Sequence, residues 1–145
     1  MIRSILAATL LAAPVAAADF ESISSSRPVA ETMDALVAAV EGAGATVFAR
    51  IDHAEGARAV EMELAEAQLL VFGNPRLGTP AMQDDIRAGL MLPLRVLVYA
   101  DEEGETQVFW QEPEEMFDDL RIDDDSEYVE KMEGALEALT AKAVE

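Results

Sequence analysis

The stretch "QLLVFGNPRLGTPAMQ", which runs from Gln68 to Gln83, decides the fold. Its first part is a continuous apolar run ending in a glycine, which predicts a β-strand that is covered on both faces. Residues 74–78 then form a loop. Thr79 is a favoured helix N-cap, and Pro80 lacks only an N–H that the first turn does not use. The stretch therefore predicts a strand, a loop and a helix from Thr79 to about Ala88.

The flanking sequence repeats this succession of strands and helices. Alternating apolar residues predict strands, and apolar residues three and four positions apart predict helices. The predicted strands are 20–26, 45–52, 68–73, 94–100 and 105–111. The other predicted helices run from Pro28 to the glycines at 42 and 44, from Asp52 to about Glu63, and from Ser126 to Ala143. Residues 114–126 are acidic, and we expect them to be irregular.

The order of these elements indicates an α+β protein. Helices alternate with the first strands, whereas residues 94–111 form a hairpin around the glycine-ended turn 101–104. We expect a single-domain sandwich, in which a curved mixed or antiparallel sheet packs on helices. A dinucleotide-binding Rossmann fold fits poorly, because no Gly-x-Gly-x-x-Gly follows a strand.

The N-terminus predicts the compartment. Met1–Arg3 is a short basic start, residues 5–15 are apolar, and Ala16–Ala18 provide the small residues of a signal-peptidase site. We expect residues 1–18 to be a signal peptide cleaved after Ala18, and residues 19–145 to be a single periplasmic domain. The apolar run is shorter than the ~20 residues that a bilayer span needs, so we expect no membrane insertion after cleavage.

Charge and composition exclude several classes of function. The formal net charge is −19, with 29 acidic residues and 10 lysines and arginines. Such a chain repels nucleic-acid phosphates and anionic lipid, so we expect neither as a partner. There is no cysteine, which rules out disulfides, a thiolate nucleophile and an iron–sulfur cluster in this chain.

Three segments carry a family resemblance. They are "FARIDHAEGA", "QLLVFGNPRLGTPAMQ" and "GLMLPLRVLVYADEEGETQVFW", and with the sequence between them the chain from Thr32 to Ala143 resembles the bacterial domain of unknown function 302 (DUF302). The resemblance implies an α+β fold similar in shape to half of a TATA-binding-protein fold, and it implies a homodimer. It implies no activity, because none is assigned to the family.

The predicted loop and helix start at residues 74–83 form the candidate ligand site. Asn74 and Gln83 offer directional hydrogen bonds, Arg76 offers positive charge, and the N–H groups at a helix beginning at Thr79 would accept an anion. The competing interpretation is structural, because Asn-Pro is a turn signal and Thr-Pro a helix start. The candidate ligand-binding residues are therefore Asn74, Arg76, Thr79 and Gln83.

His53 is the only histidine and the candidate general base, because its ordinary pKa allows it to exchange protons near neutrality. The alternative is that it packs at the strand end or bonds the backbone there. We expect no metal site, since there is no pair of histidines, and the acids of residues 118–127 lack the spacing of a calcium loop. The scattered methionines are more typical of a soft core than of copper binding. We expect no cofactor.

Three hypotheses for the function remain from the sequence. The first is a non-enzymatic periplasmic homodimer that binds a small ligand or a partner. The second is an enzyme in which His53 acts as a base near the loop 74–83, which requires the two segments to meet. The third is a structural or assembly protein whose acidic surface contacts a basic partner.

Overall fold

A computed structural model describes residues 20–145. The predicted signal peptide, residues 1–18, lies outside this range. Within it, the chain forms one antiparallel five-stranded sheet whose strands lie in the order β1-β5-β4-β3-β2. The strands are β1 (Phe20–Ser25), β2 (Thr46–Asp52), β3 (Ala67–Gly73), β4 (Leu94–Ala100) and β5 (Thr106–Gln111). The α+β prediction is confirmed, and the sheet is antiparallel throughout rather than mixed.

The helices connect and cover these strands. They are α1 (Val29–Gly42), α2 (His53–Ala59), α3 (Pro75–Asp84), α4 (Ala88–Met91), α5 (Pro113–Phe117) and α6 (Glu127–Val144). The two long helices, α1 and α6, pack on each other and on the sheet. Their apolar stripes, predicted from the helical spacing, are buried there, including Leu36 of α1 and Leu136 of α6.

The core lies between one face of the sheet and the long helices. Side chains of a strand alternate between its two faces. In β3, Leu70 and Phe72 are buried, whereas Leu69 and Val71 are only half-buried on the opposite face. Within a single chain, the prediction that β3 is covered on both faces is therefore wrong. Helices cover only one face of the sheet. The continuous apolar run of β3 did not show this, because such a run also occurs in a strand with one partly open face.

Some element boundaries also differ from the prediction. Helix α2 ends at Ala59 rather than near Glu63. The predicted helix at 79–88 is two helices, α3 and the short α4. The segment expected to be irregular contains one helical turn, α5, which buries Met116 and Phe117 against the core. Pro113 takes the first position of α5, where its missing N–H costs nothing.

Candidate functional site

The junction between β3 and α3 begins one turn earlier than the sequence predicted. Asn74 is the N-cap of α3, and its Oδ1 accepts a hydrogen bond from the Arg76 N–H at 3.0 Å. Pro75 takes the first helical position. The pair Asn74-Pro75 thus has the same cap-and-proline form as the pair Thr79-Pro80, and the helix starts at the first of the two.

This start removes the predicted anion site at the end of the helix. Thr79 lies inside α3 and is not its cap. The Leu77 and Gly78 N–H groups donate to the Asn74 backbone oxygen at 2.9 and 3.0 Å, and the Arg76 N–H donates to the Asn74 side chain. With these donors engaged, the first turn has little capacity to bind an anion through its backbone, and the prediction that Thr79 begins an anion-binding helix is wrong.

An apolar pocket opens beside this junction. Its volume is about 190 Å³, it is partly enclosed, and its surface is almost wholly apolar. The pocket is bounded by the end of β3, one side of α3, the Leu92–Leu94 segment before β4, and single side chains of β2 and α6. The lining residues are Phe48, Gly73, Asn74, Pro75, Leu77, Gly78, Thr79, Met82, Leu92, Pro93, Leu94 and Met132.

Local backbone features shape the pocket. The register between β2 and β3 shifts between Val47 and Ala49, so the intervening Phe48 is left out of the ladder and remains 57% exposed. A Cβ atom at Gly73 would lie 3.4 Å from Pro93 Cβ and 3.7 Å from the Phe48 ring. Both distances are ordinary van der Waals contacts, so the Phe48 ring and Pro93 lie against the end of β3 and form adjoining walls of the pocket.

A shallow outer depression adjoins the pocket and carries polar groups. It is lined by Arg76, Gln83 and Lys131, and it shares Asn74, Pro75, Leu77 and Thr79 with the pocket. Lys131 Nζ lies 2.5 Å from Glu127 Oε1, so its charge is paired. The four predicted ligand residues therefore gather around one two-part site. Asn74 and Thr79 border both parts, and Arg76 and Gln83 lie in the outer part.

His53 lies elsewhere. It is exposed at the start of α2, directly after Asp52, which pairs with Gln68. The loop follows Gly73, which pairs with Thr46 at the other end of the same two strands. At ~3.3 Å per strand residue, roughly 20 Å separates the two segments. The enzyme hypothesis required His53 to lie near the candidate site, and within one chain it does not.

The open face of the sheet is a feature that sequence reasoning missed. One row across it reads Ile51, Leu69, Leu97 and Phe109, in register from β2 to β5. The Phe109 ring stacks on Phe20 with centroids 5.0 Å apart. Phe20 and Ile51 are 45% and 42% exposed. The two-residue alternation in β4 was a signal for this face, but the sequence does not say whether such a face is covered.

The chain's charge is concentrated away from the open face. Apart from Arg95, the other strand residues on the open face are uncharged. They include Phe20, Ser22, Ser24, Ala49, Ala67, Val71, Arg95, Tyr99, Gln107 and Gln111. No Asp or Glu occupies these strand positions, although the chain has 29 acidic residues. A water-facing surface of this protein would be expected to carry several.

Two carboxylate environments depart from the ordinary acidic surface. Asp85 is buried and accepts hydrogen bonds from the Arg87 side chain and from the Arg87 and Arg121 N–H groups, which together hold its pKa far below the usual value. In contrast, burial and the nearby Glu114 and Glu112 raise the pKa of Glu133. Asp85 ties the end of α3 to the segment before α6.

Residues 20–145 contain no cluster of three or more His, Asp or Glu side chains arranged to hold a metal ion. In the same range, no helix has both the length and the apolar character that crossing a bilayer requires.

Comparison with known proteins agrees with the fold. The chain matches the family described as "Domain of unknown function DUF302" over residues 21–139, and it belongs to this family. The crystal structure of an uncharacterized conserved DUF302 protein from Bacillus stearothermophilus superimposes with a TM-score of 0.79 and 18% sequence identity. The superposition covers 88% of this chain and 99% of that one.

The curated proteins give a second likeness. A protein named fluoride-specific ion channel FluC 1, from Brucella suis, is 37% identical over 92 residues, and its namesake from Brucella abortus matches equally. The match covers 63% of this chain but only 36% and 34% of those proteins. The chain therefore spans about a third of the length of these relatives.

Proposed function

We propose that this protein is a non-enzymatic, periplasmic binding protein that takes a small ligand at the junction of β3 and α3. The observation that carries the proposal is the apolar pocket of about 190 Å³ at that junction. The periplasmic location rests on the signal-peptide pattern of residues 1–18.

The composition of the pocket supports ligand binding over a packing defect. Small-molecule sites are concave and mostly apolar, with a few polar groups at the rim. Here the apolar inner part meets a rim that carries Arg76, Thr79 and Gln83. Two of the pocket walls are Met82 and Met132, whose flexible side chains adapt to the shape of a ligand.

The test of this proposal uses a neutral probe, so that it reports on the pocket alone. Addition of 1-hexanol to ¹⁵N-labelled protein should give saturable amide shifts at Leu77, Gly78 and Leu92, with smaller effects at the far end of β3. Ethanol at the same concentration is the control for solvent effects. Absence of saturable shifts around the pocket would refute the proposal.

We also propose that the protein is a homodimer joined through the open face of the sheet. Five strands ~4.8 Å apart and about six residues long present roughly 500 Å² in projection, before side-chain relief is added. This approaches the ~800 Å² per partner of a standard interface. The exclusion of carboxylates from the face supports a second copy in particular, because carboxylates on both copies would add local repulsion between two chains that each carry a formal net charge of −19.

The other hypotheses have less support. An enzyme based on His53 would need a second chain to bring the histidine to the pocket. An assembly role through the acidic surface rests on the net charge and the acidic segment 114–126, and no observation on residues 20–145 points to the basic partner that it would need. The channel name of the Brucella proteins adds no step to the proposal, because the matched region is about a third of each of them.

A further inference from the structure

We infer that the ligand is a small organic anion, whose apolar body fills the pocket and whose carboxylate-type head lies beside Arg76 in the outer depression. This inference rests on the proposed ligand-binding function and names the class of ligand. It joins the two depressions, which share four residues at their common border.

The size of the body follows from the volume of the pocket. A cavity of about 150 Å³ holds a benzene molecule. A pocket of about 190 Å³ therefore suits an alkyl or aryl group of roughly six to eight non-hydrogen atoms. A larger group would have to displace Phe48 or one of the two methionines.

The apolar character of the body follows from how the pocket's polar groups are engaged. The Arg76, Leu77 and Gly78 N–H groups that border it donate to Asn74. A polar body would lose its hydrogen bonds to water and find few replacements, which is costly. Only the exposed rim, where Thr79 and Gln83 lie, offers polar side chains.

The charge of the head follows from the state of Arg76. Its guanidinium forms no ion pair among residues 20–145, in a chain with nearly three acids for each base. Lys131 in the same depression is neutralised by Glu127, so Arg76 supplies the unbalanced positive charge. An arginine presents a planar fork of N–H donors that matches a carboxylate.

Three probes separate the parts of the inference. Hexanoate has both body and head, hexylammonium has the same body with the opposite charge, and acetate has the head alone. In calorimetric titrations of the wild-type protein at about 0.15 M ionic strength, where a Debye length of ~8 Å screens the net charge of the chain more than the contact with Arg76, hexanoate should bind at least fivefold more tightly than hexylammonium. Acetate should show no saturable binding.

Two variants locate the binding. A Cβ atom at Gly78 would meet only Leu92 Cδ1, at 3.5 Å, so Gly78→Ala places a methyl group in the pocket without strain. Hexanoate should then bind about fourfold more weakly, as expected for the loss of space for one methylene. Arg76→Gln should weaken hexanoate binding about two- to fivefold and leave 1-hexanol binding unchanged.

Matched controls exclude general effects. Gly134→Ala makes the same change in an open position of α6, and Arg58→Gln removes the same charge from the exposed end of α2. Both should bind hexanoate as the wild type does. The inference would be overturned if hexylammonium bound as tightly as hexanoate. It would also be overturned if neither Gly78→Ala nor Arg76→Gln changed the affinity for hexanoate. If 1-hexanol also failed to bind, the proposed function itself would fail.

Discussion

Truncation of Met132 to alanine tests whether this side chain forms a wall of a pocket that a ligand can enter. Met132 lies on α6, is 1% exposed, and lines the pocket floor while also belonging to the core. Met132→Ala removes three non-hydrogen atoms, so the pocket should gain space for about three more atoms of a ligand.

The magnitude depends on how completely Met132 is surrounded. Buried Met or Leu to Ala substitutions cost ~2–5 kcal/mol, and the cost rises with the volume of the cavity left behind. Because one side of Met132 already borders empty space, we expect a value near the low end, about 2 kcal/mol. Leu136, one turn further along α6, is equally buried and lines no part of the pocket, so Leu136→Ala should cost more, about 3–4 kcal/mol.

Urea unfolding of both variants measures these costs, and ligand titration measures the new space. An alkyl tail of roughly six to eight atoms belongs to a linear carboxylate of about seven to nine carbons, so the preferred chain length should move from about that range in the wild type to about ten to twelve carbons in Met132→Ala. Leu136→Ala serves as the control and should keep the wild-type preference. A larger loss of stability for Met132→Ala than for Leu136→Ala, or an unchanged chain-length preference, would show that Met132 does not border a ligand pocket.

Further predictions concern the open face of the sheet, Glu133 with the nearby Glu112 and Glu114, and Gly134 of α6. Leu97→Asp should convert the dimer into a monomer in sedimentation equilibrium, whereas Leu90→Asp, at a site 81% exposed on α4, should leave the mass unchanged. Because burial and neighbouring acids raise the pKa of Glu133 in the folded protein, protonation stabilises the fold. Stability should therefore rise as the pH falls from 7 towards 4.5, and Glu133→Gln should raise stability at pH 7 and reduce this rise. Gly134→Ala should stabilise the protein by about 0.5–1 kcal/mol in urea unfolding, because this helical glycine has open space around it.

Sequence patterns predicted the fold well where they repeat over a whole element. The stripes of α1 and α6 and the hairpin of β4 and β5 were placed within a few residues of their true bounds. The start of α3 was wrong, because the sequence holds two cap-and-proline signals five residues apart, and local propensity does not rank them. The prediction that β3 is covered on both faces was wrong within one chain, because the covering of a strand depends on where distant helices pack.

The position of the candidate site could be predicted from the sequence, but the apolar character of its interior could not. The glycine, asparagine and proline after β3 indicated the junction, and its four predicted residues do surround one site. The apolar interior was not visible, since Phe48, Leu92 and Met132 reach it from three distant parts of the chain. Nothing local to any of these residues distinguishes a pocket wall from ordinary core.

Native mass spectrometry of the mature protein, purified from its own host without added ligand, shows whether the protein is a dimer that holds a small organic acid. We expect a dimer that carries a reproducible extra mass of a small organic acid. Added hexanoate should displace this mass, and Gly78→Ala should reduce the fraction of protein that carries it. A protein of bare mass, with a spectrum that does not change when hexanoate is added, would contradict the proposed ligand site.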